Sequence, residues 1–385
     1  MLPQIIRAAE LIAVAGTAAS MAYYALCVWS ASSFLKQQKS ARQQAATAPP
    51  VSILKPLRGV DPGMYESFRS HCLQAYPEYE IIFGVSDPDD PAIEFVKRLQ
   101  AEFPERPIQL VTCERRLGAN IKVSNLVQML PHAHHEFLVV NDSDIRVPTE
   151  YLRTIAAPLA DTGVGLVTCL YRGMASPTLG SRLESLGIAT DFCAGVLAAR
   201  QLEGIRFGLG STLAFRRTDL VSIGGFEAIA DHLADDYEIG SRLSGKGLKV
   251  VLSEIVVESF LPAYSFRQFL QHQLRWARTL RGARPWGYCG LILTFGLPWA
   301  LLALALSHGA GWAWSLLGAA LVTRIAVAIA VGYGSLHDRQ VPSLLWFLPI
   351  RDVIALLVWV ASYAGREVAW RGDQFTLKDG KLARD

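Results

Sequence analysis

Apolar residues are distributed along this chain in two distinct ways. Two stretches, residues 11–35 and 285–323, contain no Asp, Glu, Lys or Arg, and a third, residues 341–365, is mostly apolar but is interrupted by Arg351 and Asp352. A helix needs about 20 apolar residues to cross a membrane. We therefore predict one span in the first stretch and two in the second, with a turn near residues 307–309. The central charges of the third stretch favour a re-entrant or interfacial segment.

Between these stretches the composition is that of a soluble domain, and short apolar runs alternate with helical patterns. The runs predicted as strands are residues 51–54, 80–85, 109–112, 137–140, 165–170, 212–215 and 250–257. The helical patterns between the first four runs are residues 64–74, 92–103 and 120–130. Such alternation predicts βαβ units, and hence an α/β fold with a mixed, mostly parallel sheet flanked by helices.

This patterning divides the chain into six segments. The predicted segments are an N-terminal transmembrane anchor (1–35), a polar linker (36–49), a soluble domain (50–264), an amphipathic interfacial helix (265–284), a C-terminal transmembrane region (285–365) and a cytoplasmic tail (366–385). Lys36, Lys39 and Arg42 follow the first span directly, so the positive-inside rule places the soluble domain in the cytoplasm.

Charge and cysteine content narrow the class of protein. The formal net charge of +3 is too small to suggest nucleic-acid binding. The six cysteines are scattered without a CxxC pair, which suits a reducing compartment and argues against a disulfide framework or a zinc site. Neither a GxGxxG fingerprint nor a P-loop is present, so we expect phosphates to be met by a metal and by Lys or Arg side chains.

Two carboxylates follow directly on the buried run 137–140, in the sequence FLVVNDSDIRV. Ligands bind beyond the carboxyl ends of parallel strands, where Asp142 and Asp144 are expected to lie. With one residue between them, both can reach one divalent cation, or one can reach the cation and the other a ribose hydroxyl. Mg²⁺ and Mn²⁺ prefer such oxygen ligands. The alternative is an ordinary turn, because Asn, Asp and Ser are common turn residues.

Two further acidic motifs occupy similar positions. In GVSDPDDPA we assign helix capping to Asp90, which leaves Asp87 available for function. In DHLADDYEIG, either Asp235 or Asp236 could cap the following helix, yet the motif holds more acidic residues than capping needs. A carboxylate there that faces a hydroxyl nucleophile would be a suitable general base.

The amphipathic helix begins at an S-x-x-Q capping box formed by Ser265 and Gln268. His272, Arg275 and Trp276 fall on one of its faces. Arginines at positions 267, 278, 281 and 284 add a basic flank, which suggests contact with anionic lipid headgroups. Arg275 is also suited to bidentate phosphate contact.

Together these motifs resemble the ceramide glucosyltransferase family of membrane-bound inverting glycosyltransferases, which includes bacterial hopanoid-biosynthesis enzymes. The resemblance rests on VSILKPLRGVDP, YPEYEIIFGVSDPDDPA, GANIKVSNL, NDSDIRV, ADDYEIG, HQLRW and AWRGDQFTL. It implies a nucleotide-sugar-binding fold of glycosyltransferase type A. This chain has a full Asp-x-Asp where the animal ceramide enzymes read Asp-Ser-Gly, and His272 where the family motif has Gln or Arg.

The resemblance also implies a role for each motif residue. Asp87 would contact the uridine, Lys122 would be a donor-site lysine, and Asp236 would be the catalytic base. Asp142 and Asp144 would hold the divalent cation, Mg²⁺ or Mn²⁺, and the diphosphate side of the donor. The residues that would line the diphosphate and acceptor side are His272, Arg275 and Trp276.

The function implied is inverting transfer of a hexose from UDP-glucose or UDP-N-acetylglucosamine to the hydroxyl of a membrane lipid such as ceramide. An alternative acceptor is bacteriohopanetetrol, and the intact Asp-x-Asp together with His272 favours a bacterial inner-membrane enzyme. A polysaccharide synthase would need more spans to enclose a channel. A non-catalytic lipid-binding protein would not need the four aspartates 87, 142, 144 and 236 together.

Overall fold

The computed structural model describes residues 1–40, 48–365, 367–370, 373–378 and 380–383. Its α-helices are α1 (Leu2–Ser40), α2 (Met64–Cys72), α3 (Ala92–Glu102), α4 (Ile121–Met129), α5 (Tyr151–Ala156), α6 (Leu179–Gly187), α7 (Cys193–Glu203), α8 (Arg217–Ser222), α9 (Asp235–Gly245), α10 (Phe266–Ala283), α11 (Pro285–Gly290), α12 (Gly296–Leu306), α13 (Gly311–Val327), α14 (Val341–Leu344) and α15 (Leu348–Ser362). Its strands are β1 (Val51–Leu57), β2 (Tyr79–Val85), β3 (Ile108–Thr112), β4 (Phe137–Val140), β5 (Ile145–Arg146), β6 (Val164–Met174), β7 (Leu213–Arg216), β8 (Lys249–Phe260), β9 (Glu367–Trp370), β10 (Asp373–Lys378) and β11 (Lys381–Ala383).

The chain forms two compact units. The sheet unit comprises Ser40–Ser176, Gly204–Pro262 and Ala369–Asp385. The helical unit comprises Met1–Lys39, Pro177–Glu203 and Ala263–Val368.

Eight strands form the main sheet of the sheet unit, in the order β3-β2-β1-β4-β7-β6-β8-β5. The first four strands run parallel, β6 and β8 are parallel to each other, and β7 is antiparallel to both β4 and β6. Helices α2, α3 and α4 connect the parallel strands. All seven predicted strands are present, so the predicted mixed, mostly parallel sheet is confirmed.

The parallel strands are apolar on both faces because helices cover them. Every residue of β2 is buried, and so is every residue of β1 except Pro56. Lys55 is therefore a buried cation inside β1. The carboxyl ends of β1, β2 and β4 lie side by side at one edge of the sheet, where loops can gather functional side chains.

The helical unit carries the apolar stretches. Three helical segments, Leu2–Ser40, Gly311–Ser335 and Val341–Ser362, are long and apolar enough to cross a membrane. Pro285–Thr294 and Gly296–Leu306 form a pair bent by 53°, which adds a fourth segment if the pair is one span. The predicted turn near residues 307–309 is confirmed, since α12 ends at Leu306 and α13 begins at Gly311.

The charges in the third apolar stretch are buried and paired. Asp352 Oδ1 lies 2.8 Å from Arg324 Nη2, and Arg351 Nη2 lies 3.3 Å from Asp191 Oδ2. Arg324 also contacts Asp191. Ionisable groups at membrane depth are costly unless they meet such partners, so this cluster explains how the helical unit accommodates them.

Candidate active site

The sequence NDSD forms the connection between β4 and the two-residue strand β5. The Ile145 N–H donates to the Asp142 carbonyl at 3.4 Å, so the segment is a turn, as the alternative interpretation expected. Its side chains are nevertheless held by other elements. The Ser259 hydroxyl on β8 donates to the Asp144 carboxylate, and the Ser143 hydroxyl donates to Asp61. The turn is therefore also a fixed platform for two carboxylates.

Lys55 supports this turn from β1. Its Nζ donates to the Asp142 carbonyl at 3.0 Å. Burial lowers the pKa of the Lys55 ammonium to about 7, although the nearby Asp144 and Asp142 carboxylates act in the opposite direction. Burial, and then the charge of Asp142, raise the pKa of Asp144 to about 6. The two carboxylates thus repel each other where solvent is largely excluded. A bound cation would reduce this repulsion.

Lys122 joins this turn to the start of α9. Its Nζ lies 2.9 Å from Asp142 Oδ1 and 3.0 Å from Asp235 Oδ2. Burial by itself lowers the pKa of Lys122, but the two carboxylates reverse that effect, and the pKa is raised. Asn120 caps α4 and donates to the His232 carbonyl at 2.8 Å, which ties α4 to the loop before α9. The ammonium is therefore a fixed positive charge between two acidic motifs.

The acidic pair at the start of α9 does not cap the helix. Ala234 occupies the N-cap position, and no side chain bonds there, so the capping interpretation of this pair is wrong. Asp235 is 8% exposed and pairs with Lys122. Among the described residues, Asp236 Oδ1 accepts from one donor, the N–H of its neighbour Tyr237, at 2.8 Å. Burial, and then the charge of Asp235, raise the pKa of Asp236 to about 6, a suitable value for a general base.

Gly210 lies between the two motifs. A Cβ at this position would lie 3.2 Å from Asp142 Oδ2 and 3.3 Å from Asp236 Oδ2. The two carboxylate oxygens therefore border one small volume that the absence of a side chain at Gly210 keeps open. A substrate group in this volume could contact both aspartates.

The donor set suits a hard divalent cation that shares its ligands with a substrate. Among the described residues, no three His, Cys, Asp or Glu side chains form a complete metal site by themselves. Asp142 is 40% exposed on its side chain and Asp144 repels it, so the pair has both access and unbalanced negative charge. Such pairs of carboxylates hold Mg²⁺ or Mn²⁺ when substrate phosphates complete the coordination.

Asp87 lies apart from this cluster. It is exposed at the carboxyl end of β2, and its Oδ1 accepts from the Asp89 N–H at 2.9 Å. No hydrogen bond or ion pair in the described chain joins Asp87 to the group around Lys122. Asp90 accepts from the Ala92 N–H at 2.8 Å and from the Gly59 N–H at 2.8 Å. Asp90 thus bonds the first turn of α3 and also fixes the loop after β1.

His272, Arg275 and Trp276 belong to the helical unit, on α10. The predicted capping box is confirmed, since the Ser265 and Gln268 side chains each accept from the other residue's backbone N–H. The His272 ring stacks on Tyr264 with centroids 5.4 Å apart, and it lies 5.3 Å from the Trp276 ring. The three-residue motif is therefore part of an aromatic cluster.

The basic flank of α10 has partners within the protein. Arg278 donates to the Ala364 carbonyl at 2.6 Å, and Arg281 donates to the Gly365 carbonyl at 3.1 Å. Both carbonyls follow α15, where unsatisfied C=O groups favour cations. These two arginines therefore fasten α10 to the end of α15, and the contact with anionic headgroups stays a prediction.

Sequence reasoning did not identify Lys55, Asp235 and Gly210 as members of the site. A lysine inside an otherwise apolar strand run, as in VSILKPL, was the available signal for Lys55. Asp235 differs from Asp236 only through its contact with Lys122, which depends on the approach of α4 to α9. No local pattern marks Gly210.

Known proteins resemble this chain in sequence over much of its length. Ceramide glucosyltransferase 3 of Caenorhabditis elegans is 25% identical over 237 residues, which cover 61% of this chain and 51% of that protein. Ceramide glucosyltransferase 1 of the same organism is 22% identical over 352 residues, which cover 88% and 74%. The chain therefore spans about half the length of the first relative and about three quarters of the second.

A solved structure resembles the fold. The mannosyltransferase PcManGT from Pyrobaculum calidifontis, in complex with GDP-Man and Mn²⁺, aligns with a TM-score of 0.54 and 20% identity over 92% of this chain and 99% of that one. This likeness confirms the predicted glycosyltransferase type A fold.

The family profile described as Glycosyl transferase family 21 matches residues 12–383, nearly the whole chain. The protein belongs to glycosyl transferase family 21.

Proposed function

We propose that this protein is an inverting hexosyltransferase that moves a hexose from a UDP-sugar to the hydroxyl of a membrane lipid, as a ceramide glucosyltransferase does. The observation that carries the proposal is the Lys122 bridge, which joins the Asp-x-Asp turn at Asp142 to the acidic start of α9 at Asp235. It supports one reaction site in which a diphosphate side and a base side face a shared volume.

In this proposal the charge of each residue determines its role. Asp142 and Asp144 would hold a Mg²⁺ or Mn²⁺ ion, which when bound offsets the negative charge of the departing diphosphate. Lys122 would hold Asp142 in place and contribute positive charge on the same side. Asp87, at the end of β2, would bind the uridine.

Asp236 would take the proton of the acceptor hydroxyl. An alcohol is a poor nucleophile unless a base removes its proton in the transition state. The Asp236 carboxylate borders the volume beside Gly210, as the Asp142 carboxylate does. In the proposed reaction the hydroxyl attacks on the face opposite the leaving diphosphate, a single displacement that inverts the anomeric carbon.

The lipid acceptor is supported by the helical unit and by the ceramide glucosyltransferase relatives. That unit carries three candidate spans and the α10 helix with His272, Arg275 and Trp276. These three side chains would line the diphosphate and acceptor side of the substrates. The basic residues that follow the first span support a cytoplasmic sheet unit, in a bacterial inner membrane.

The experiment is to incubate purified protein in detergent with each donor and each acceptor, and to identify products by mass spectrometry. The donors are UDP-glucose, UDP-N-acetylglucosamine and, because the structural neighbour holds it, GDP-mannose. The acceptors are ceramide, diacylglycerol and bacteriohopanetetrol. NMR of the product would give the anomeric configuration.

We expect a UDP-hexose and ceramide to give a singly glycosylated lipid with inverted configuration. Product on bacteriohopanetetrol alone would keep the reaction class and change the acceptor to a hopanoid. Retained configuration, or transfer from GDP-mannose only, would contradict the proposal. A sugar polymer without lipid would favour the polysaccharide-synthase alternative.

A further inference from the structure

A buried carboxylate on α6 lies against the α10 motif. Glu184 is 1% exposed, and its Oε1 lies 3.2 Å from His272 Nδ1. Its Oε2 accepts from the Gln273 side chain at 2.7 Å. No cation touches Glu184 among the described residues, although Arg351 bonds the far side of Gln273 at 2.9 Å. A carboxylate is costly to bury with such incomplete compensation, so its position calls for a functional reason.

The contact with His272 is close but not aligned as a hydrogen bond. Glu184 Oε1 and His272 Nδ1 are both buried, and neither has a hydrogen-bond partner in the part of the chain that the structure describes. Catalytic and binding contacts are often loose in a ligand-free site and tighten when substrate arrives. We expect the Nδ1–H to donate to Glu184 when an acceptor is bound.

Other contacts fix the plane of the imidazole. Tyr264 stacks on the ring at an interplanar angle of 24°, and Trp276 lies against it at 49°. Aromatic contacts hold the ring faces, and Glu184 holds the Nδ1 edge. No described residue bonds Nε2. When one ring nitrogen of a histidine is held by a carboxylate, the other is presented in a defined tautomer.

We propose that Glu184 is a positioning residue that fixes His272 so that its Nε2 accepts a hydrogen bond from a polar group of the lipid acceptor. A carboxylate beside the imidazole disfavours a diphosphate at this place, because the like charges repel, and it favours a neutral hydroxyl or amide. His272 also belongs to the unit that carries the candidate membrane spans. The inference rests on the proposed lipid glycosyltransferase function.

The test is a double-mutant cycle with Glu184→Gln and His272→Gln. In the unmodified protein we expect Glu184→Gln to lower kcat/KM for the lipid acceptor by roughly tenfold, the lower end of what loss of an orienting partner costs. In the His272→Gln background the same substitution should change kcat/KM less than about twofold, because no imidazole remains to be oriented. Glu184→Gln should leave the KM for the UDP-sugar unchanged in both backgrounds.

A packing control separates positioning from structure. Leu183, the neighbour of Glu184 on α6, packs with Phe269 and Ile354 and does not take part in the His272 contact. Leu183→Val should lower the melting temperature with little change in kcat/KM. Equal losses from Glu184→Gln in both backgrounds would overturn the proposal, as would a raised KM for the UDP-sugar. If no variant and no unmodified protein transfers sugar to lipid, the proposed function itself fails.

Discussion

Asp236 is the residue on which the proposed chemistry depends most directly. Asp236→Asn keeps the shape and removes the ability to take a proton, so we expect kcat to fall by roughly 10²–10⁴-fold. Among the described residues, the Asp236 side chain makes one hydrogen bond, with the Tyr237 N–H, so the variant should fold normally. Binding of the UDP-sugar, measured by isothermal titration calorimetry, should stay close to that of the unmodified protein. A kcat near that of the unmodified protein would show that Asp236 is not the base.

A divalent cation is expected at Asp142 and Asp144. Because burial and mutual repulsion raise the pKa of Asp144 to about 6, the pair is incompletely compensated without a cation. Excess EDTA should abolish transfer, and Mn²⁺ or Mg²⁺ should restore it. Asp144→Asn removes a charged ligand, so it should raise the concentration of Mn²⁺ or Mg²⁺ needed for half-maximal activity. Full activity in EDTA would show that the turn acts without a cation.

A substitution at Gly210 tests whether substrate occupies the volume that Asp142 and Asp236 border. Gly210→Ala places a methyl group 3.2–3.3 Å from both carboxylates. We expect kcat/KM to fall at least about tenfold while the melting temperature changes little, because one added methyl competes with substrate more than with packing. Gly245→Ala is the matched control, since a Cβ there meets nothing within 4 Å. Equal activity of both variants would mean that substrate does not enter this volume.

At the scale of elements, the C-terminal hairpin supports the acidic motif. Strands β10 and β11 pair antiparallel, and the Leu382 N–H donates to the Asp231 carbonyl at 2.7 Å. The Asp231 carboxylate in turn accepts from the Ala119 N–H at 2.9 Å. The hairpin thus holds the loop that leads into α9 and its two aspartates.

We therefore predict that Leu382→Asp lowers activity even though Leu382 lies outside the site. Leu382 is 5% exposed, so the substitution would bury an unpaired charge and release the loop. We expect at least about a tenfold loss of kcat/KM. Lys381→Ala is the control, because the Lys381 side chain is exposed while its backbone makes the bridge to His232. An equal loss of kcat/KM in both variants would contradict the prediction, because the loss would then not depend on burial of the Leu382 side chain.

The elements that could be predicted from the sequence are those with a strong local pattern. The apolar runs 51–54, 137–140 and 250–257 each became part of a strand. Strand β5 has only two residues, and the three tail strands have four, six and three residues, so none of them is long enough to show a clear period. The Asp-x-Asp turn was predictable from its place at a strand end. The Lys122–Asp235 pair was not, because it depends on how α4 meets α9.

At the scale of the whole molecule, the tail constrains how often the chain crosses the membrane. The hairpin belongs to the sheet unit and bonds its loop at Asp231, so residues 380–383 lie on the same side of the membrane as that unit. In the proposed membrane arrangement, the chain between Pro262 and Ala369 then crosses an even number of times. Of its three apolar segments, the bent pair, Gly311–Ser335 and Val341–Ser362, at most two can therefore cross.

We propose that Val341–Ser362 is the segment that does not cross. It runs beside the amphipathic helix α10, with Arg351 bonded to Gln273 at 2.9 Å and the Ser362 carbonyl accepting from Arg281. We expect an amphipathic helix of this kind to lie in the interface, and a neighbour bonded to it at its middle and at its end to share that position.

Labelling of single cysteines decides whether Val341–Ser362 or the bent pair is the segment that does not cross. With Cys289 replaced by Ser, cysteines would be placed at Lys246 in the sheet unit, Lys381 in the tail, His308 between α12 and α13, and Arg339 before α14, all of which are exposed. A membrane-impermeant maleimide added to sealed inside-out vesicles should label positions 246, 381 and 339 and spare 308, because only α11–α13 then form the two crossings. If the bent pair is instead the segment that stays at the surface, label would reach position 308 and not 339. Protection of position 381 while 246 reacts would contradict the docking of the tail itself.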